Sequence, residues 1–123
     1  MLNAQDLANR YVAVWNEADG ESRRQQIAAL WAPDGQHYVD VREARGHDAL
    51  EQRILGSYNK NVRDGGHRFY AVQDARELRD VVTFGWEMRP GNEYHAVAQG
   101  FAVLLLTAEG RIRTDYLFMG GSR

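Results

Sequence analysis

The chain has 123 residues, of which 44 % are hydrophobic and 26 % charged, and its seventeen acids and fifteen bases leave a formal net charge of −2. Such a composition is ordinary for a globular domain, and one core at this length buries roughly two-thirds of the surface that the unfolded chain exposes. No run of five Lys or Arg provides a footprint for nucleic acid, and the absence of cysteine excludes disulfides, thiolate catalysis and Cys-ligated zinc. The amino-terminal MLNAQDLANR lacks the apolar core of a signal peptide, and the longest apolar run, Phe101 to Leu106, is too short to span a bilayer. The expectation is a soluble, cytoplasmic domain over residues 1–123, with neither a nucleic-acid nor a membrane partner.

From Leu2 to Ala18 the residues Leu7, Tyr11, Val14, Trp15 and Ala18 recur at helical spacing, with Asn3 and Asp6 as the start signal. ADGES breaks that helix. Ser22 and Gln25 then form a Ser-x-x-Gln capping box opening a second helix through Ile27, Leu30 and Trp31, which Pro33-Asp34-Gly35 stops. A short extended piece, QHYVDV, precedes Gly46-His47-Asp48 and a third helix with Leu50, Ile54 and Tyr58 on one face. Asn59 to Gly66 reads as a loop.

From His67 onward the period changes to two, most clearly where Val82, Phe84, Trp86 and Met88 alternate with Thr83, Gly85, Glu87 and Arg89. Strands are expected over His67–Arg76, Val81–Arg89, Tyr94–Leu106 and Arg111–Met119, separated by ELRD, Pro90-Gly91-Asn92 and Thr107-Ala108-Glu109-Gly110. Helices first and strands afterwards make the class α+β. A curved sheet needs its concave face covered, and three helices are the material to cover it, so the expected shape is a cone with an apolar cavity at its open end.

The runs RYVAVWN, ALWAPDGQHYVDV, GHDALEQRI and GRIRTDYLF together resemble the nuclear transport factor 2-like superfamily, nearest to its SnoaL-like members. The resemblance implies three N-terminal helices packed on a curved, mainly antiparallel sheet. It implies no single chemistry, because the superfamily holds ketosteroid isomerases, polyketide cyclases, epoxide hydrolases and dehydratases beside members that only bind or dimerise. Carried over residue by residue, Tyr11 in the Arg-Tyr-Val-Ala run looks like the oxyanion-donating tyrosine of ketosteroid isomerases. Asp40 looks like their general base, although one extra residue lies between it and Asp34 and valine stands where proline often follows. Asp115 in TDYLF resembles the last-strand aspartate of epoxide hydrolases and SnoaL-like cyclases. Gln99 falls where those enzymes carry a second pocket carboxylate, and glutamine cannot titrate.

The candidate catalytic residues are thus Asp115, Asp40 and Tyr11, with Gln99, His95, Trp15, Tyr58, Trp86 and Phe101 as candidate substrate contacts. The competing reading of Asp115 is a salt bridge to Arg111 or Arg113, and that of the aromatic residues is plain core. With the last two strands joined by a short bulged turn, Asp115 is expected near Phe101 and within about 8 Å of Gln99, with His95 at the pocket mouth. A site residue of this kind should tolerate Asp115→Asn with a stability change within about 1 kcal/mol. His37, His47, His67 and His95 show no metal-ligand spacing, and no metal or cofactor is expected. Two function classes stay open: cofactor-free acid/base chemistry on a small apolar ligand, and a ligand-binding or dimerisation module without chemistry. Apolar residues on both faces of the strand holding Val103, Leu104, Leu105 and Leu106 point to a homodimer through the sheet.

Overall fold

In the computed structural model, which describes residues 3–91 and 93–120, the first helix, α1 (Ala4–Trp15), opens on Asn3, whose side chain accepts the Asp6 N–H at 3.0 Å. Leu2, Asn92 and Gly121 lie outside the described residues. Leu7, Ala8, Tyr11, Val12, Val14 and Trp15 form its buried face, the 3.6-residue stripe that drives an amphipathic helix onto a sheet. It ends at Trp15, three residues before the expected Ala18. Asn16 fixes it there: its amide accepts the Phe69 N–H at 2.9 Å and donates to the Phe69 carbonyl at 2.8 Å, standing in for a neighbouring strand.

Helix α2 (Gly20–Leu30) starts before the expected capping box. Asp19, not Ser22, is the cap, its carboxylate accepting the Ser22 N–H at 2.8 Å, while the Ser22 hydroxyl donates to Glu17. Strand β1 (Trp31–Val39) follows with no intervening loop, so Trp31 belongs to the sheet and not to the second helix. A two-residue loop, Asp40-Val41, returns it antiparallel as β2 (Arg42–Arg45), a strand that the sequence reading lacked. Helix α3 (His47–Ser57) runs on into a π-helical turn over Tyr58–Arg63, where a loop was expected.

The remaining strands are β3 (His67–Ala71), β4 (Arg76–Leu78), β5 (Val81–Pro90), β6 (Ala98–Leu106) and β7 (Ile112–Met119). Strand β3 stops five residues earlier than expected, β6 starts four later, and part of the expected ELRD break is the short strand β4. The sheet order is β2-β1-β7-β6-β5-β3, with β4 also on β5. All pairs are antiparallel except β1 with β7, the second and third strands of the path, which run parallel.

The fold is α+β: three helices on one face of a curved, unclosed, mixed sheet. Phe84, Val82, Leu104, Ala102 and Ile112 from the strands meet Tyr11, Ile27, Leu50 and Ile54 from the helices in one buried core. Along β6 the alternation is clean: Gly100, Ala102, Leu104 and Leu106 are buried and Gln99, Phe101, Val103 and Leu105 face outward. Gly100 is required by close approach. A Cβ there would sit 1.9 Å from the Phe118 carbonyl oxygen and 2.8 Å from the Trp86 ring, which lies across the space a side chain would fill. Among the described residues no helix is long and apolar enough to cross a membrane.

Candidate active site

Asp115 reaches the interior through a break in strand period. Leu106 pairs with Ile112, but Leu105 pairs with Thr114, so Arg113 is an extra residue in β7. Such a bulge reverses which side chains face in. Asp115 therefore shares the inner face with its partner Leu104, not with Phe101 as the expected register had it. The neighbouring strand β1 shifts register opposite the same stretch, between Trp31 and Gln36, after which His37 lies directly beside Asp115 in the parallel pair. The irregular stretch of β1 is held from α3, where His47 Nε2 donates to the Trp31 and Ala32 carbonyls at 3.0 and 3.1 Å.

Three donors converge on the Asp115 carboxylate, which is wholly inaccessible to solvent. Trp31 Nε1–H donates to Oδ1 at 3.0 Å. Tyr11 Oη–H donates to Oδ2 at 2.8 Å, and His37 Nδ1–H to the same oxygen at 2.7 Å. Neither Arg111 nor Arg113 pairs with it among the described residues. A buried carboxylate is tolerated only when its lone pairs are satisfied in this way. Burial first, then the charge and hydrogen bond of Asp115, hold the Tyr11 phenol well above the usual tyrosine range, so it remains a protonated donor at neutral pH. The His37 ring is also fully buried, packs 5.4 Å from Trp15, and its Nε2 has no hydrogen-bond partner among the described residues.

Above this network lies a cavity of about 580 Å³, in the range of small-molecule sites. Its apolar wall includes Val12, Trp15, Phe69, Trp86, Met88 and Leu117. Tyr11 lines it too, whereas Asp115 and His37 do not. The polar side comes from α3 and the hairpin loop: Gln52, Arg53, Ser57, Lys60, Asp40 and Arg42. The Arg53 guanidinium stands 5.3 Å over the Trp15 ring. Its burial first, and the like charge of Arg42 second, press its pKa below the ordinary arginine value.

Of the residues singled out from sequence, the structure therefore brings Tyr11, Trp15 and Trp86 to the cavity and sets Asp115 immediately behind Tyr11. Asp40 lies at the cavity rim, exposed, as the first residue of the hairpin loop with φ 53°, not in an extended segment. Gln99 and Phe101 point away from the cavity, since they alternate with buried Gly100 and Ala102. Gln99 thus does not occupy the place of a second pocket carboxylate. His95 is exposed on the β5–β6 connection, 2.9 Å from Glu93, and does not line the cavity. Tyr58 is drawn instead under Arg23, whose guanidinium lies 5.4 Å from its ring.

The bonding of His37 and Trp31 to Asp115 was not foreseen. Alternation in QHYV was the available signal, since it sets His37 with Val39 on the buried face and Gln36 with Tyr38 on the other. No group of three His, Asp or Glu among the described residues could hold a metal ion.

The sequence matches no family model and no curated protein. Solved structures do match. A candidate isomerase of the SnoaL-like family from Agrobacterium tumefaciens superposes with a TM-score of 0.86 at 25 % identity, over 98 % of this chain and all of that one. A candidate polyketide cyclase from Sinorhizobium meliloti gives 0.69 at 12 % identity, over 94 % of this chain and 99 % of that one. A nuclear transport factor 2-like protein of unknown function from Exiguobacterium gives 0.70 at 15 % identity, over 93 % and 98 %. With helices on one face of a curved mixed sheet and a cavity between, the chain has the nuclear transport factor 2-like fold. Among proteins of that fold it is similar to SnoaL-like members.

Two outcomes follow from the buried carboxylate. Asp115→Asn must turn an amide toward at least one of three fixed donors, so it should cost on the order of 1–3 kcal/mol, more than the sequence suggested, as read from urea midpoints at neutral pH. Tyr11 sets an alkaline limit. The unfolded phenol ionises near pH 10, whereas the folded one keeps its proton to higher pH. Its contribution is intact below about pH 10 and is lost as pH rises above it. Urea midpoints measured between pH 9 and 11 should fall less steeply in Tyr11→Phe than in the native chain.

Proposed function

We propose that this protein is a cofactor-independent acid/base enzyme of the SnoaL-like kind, a cyclase, isomerase, dehydratase or hydrolase, acting on a small and largely apolar molecule held in the cavity. The observation that carries the reading is the position of Tyr11, which lines the cavity and also donates to Asp115. A proton leaving the substrate can pass to the Tyr11 oxygen while the phenol proton passes to Asp115 Oδ2. Charge moves from the carboxylate to the substrate, and the neutral Asp115 returns the proton to another substrate atom by the reverse shift. His37 and Trp31 keep the carboxylate in place throughout, and the dry surroundings strengthen each of these hydrogen bonds. The isomerase and cyclase names of two structural neighbours agree with chemistry of this sort.

One observation favours the second reading, a binding module: Asp115 does not itself reach the cavity. Deuterium incorporation separates the two. Apolar ketones such as 2-tetralone, incubated in D₂O and followed by proton NMR, should exchange their α-hydrogens faster with the protein than in buffer. Tyr11→Phe should reduce that rate by about 10²–10⁴-fold, the usual contribution of a positioned acid or base. Exchange no faster than buffer, with equal ketone affinity in both proteins, would leave the binding module.

We also propose a cytoplasmic homodimer through the outer sheet face. Phe101 and Phe118 stack there at 4.5 Å, and Tyr38 and Tyr116 at 5.6 Å, with Phe118 47 % and Tyr116 40 % exposed. Light scattering at micromolar concentration should give twice the chain mass. Phe118→Glu should shift it toward the monomer, and a monomeric mass for the native chain would count against this assembly.

A further inference from the structure

The cavity rim is electrically one-sided in a chain whose formal charge is negative. Among the described residues lining the cavity, Arg42, Arg53 and Lys60 are cationic and Asp40 alone is anionic. None of the three cations forms a salt bridge within 4 Å among the described residues, although Arg24, Arg63 and Arg89 elsewhere each find a carboxylate. Arg53 is the most unusual. Its Nε is buried without a hydrogen-bond partner, its guanidinium rests on the Trp15 ring, and Arg42 adds like charge nearby. Two further buried donors without a partner among the described residues, Trp15 Nε1 and Trp86 Nε1, belong to residues that line the cavity. Buried donors left unmatched are uncommon in a finished core and are expected where a ligand supplies the acceptors.

The apolar wall, by contrast, is built from Val12, Phe69, Met88 and Leu117 beside the indoles. We infer that the cavity takes an amphiphilic organic anion, with a carboxylate head against Arg53 and Arg42 and an apolar body among Trp15, Phe69, Trp86 and Met88. Arginine suits that head, because its planar fork meets a carboxylate through two parallel hydrogen bonds while its flat face stays on the ring beneath. Lys60 and Asp40, farther out on the rim, bias which anions enter. The inference rests on the proposal that this cavity is the substrate site, and it adds the substrate class: an apolar acid, in place of a neutral molecule.

The test uses three probes of one shape: 2-naphthoate, its neutral methyl ester, and 2-naphthylmethylammonium, titrated against the full chain by calorimetry and tryptophan fluorescence. Naphthoate should bind at least about tenfold tighter than the ester, the ammonium more weakly than either, and the naphthoate affinity should fall with added salt. Arg53→Gln should erase the preference for naphthoate over the ester, read as the ratio of the two affinities in the same variant. Arg42→Gln, on an exposed strand residue whose loss does not threaten folding, should reduce that preference in part. Equal affinity for acid and ester, tighter binding of the ammonium, no binding of any probe, or a preference untouched by both substitutions would overturn the inference. The two proposals fail separately. Naphthoate held by Arg53 without ketone exchange removes the catalytic reading alone, and Tyr11-dependent exchange on neutral ketones with no acid preference removes the anion alone.

Discussion

The structure depends on how one carboxylate is kept inside it. Asp115 is fully buried, and an ionised group there would be very costly without its partners. The partners come from three different places in the chain: Tyr11 from the middle of α1, Trp31 from the first residue of β1, and His37 from farther along the same strand. Satisfying Asp115 therefore fixes the seat of α1 on the sheet, the register of the parallel β1–β7 pair, and the path of the irregular stretch between Trp31 and Gln36. A slip of one residue in either strand would leave a charge and three donors unmatched, so the polar network specifies the fold as well as preparing a site.

The aromatic shell around that network gives it a second property. Tyr11 lies 5.5 Å from both Trp31 and Phe84, and Trp15 lies 6.1 Å from Tyr11 and 5.4 Å from His37. These rings surround the carboxylate, and Tyr11 is the one of its three partners that also lines the cavity. The arrangement keeps water from the carboxylate, and the same arrangement prevents a ligand from touching it. Burial and the adjacent charge keep that phenol protonated, which makes it a donor and disfavours a standing phenolate.

Much of the architecture was legible because it follows from periodicity. The stripe of Leu7, Tyr11, Val14 and Trp15 and the alternation of Val82, Phe84, Trp86 and Met88 each report a face directly, and the runs resembling SnoaL-like proteins led to the same fold. What was illegible arose where period is interrupted. The extra residue Arg113 turns Asp115 inward and moves its partner from Phe101 to Leu104, and nothing local in GRIRTDY marks that position as the bulge. Gln99 was assigned to the pocket because position along a strand was inferred without the face, and a one-residue error in parity moves a side chain to the other side of the sheet. His37 was overlooked for a different reason. It was weighed only as a metal ligand, while its neighbour in space lies 78 positions away across a parallel pairing that no local pattern reveals.

The cavity itself is a consequence of residue size along one strand. On its inner face β6 presents Ala98, Gly100 and Ala102 before the larger Leu104 and Leu106, so the sheet is thickly covered at one end and bare at the other. Trp86, register partner of Gly100, leans across the bare end because no Cβ stands in its way. Its ring meets Phe69 at 6.2 Å, and Phe69 in turn meets Trp15 at 6.5 Å, which makes a curved aromatic wall where a filled core would otherwise be. Helix α3 closes the opposite side with Arg53 and Ser57 instead of leucine or isoleucine. Apolar side chains at those two positions would have packed into the space and stabilised the domain by burial. The sequence places a guanidinium and a hydroxyl there instead, so burial energy is given up where the helix faces the void.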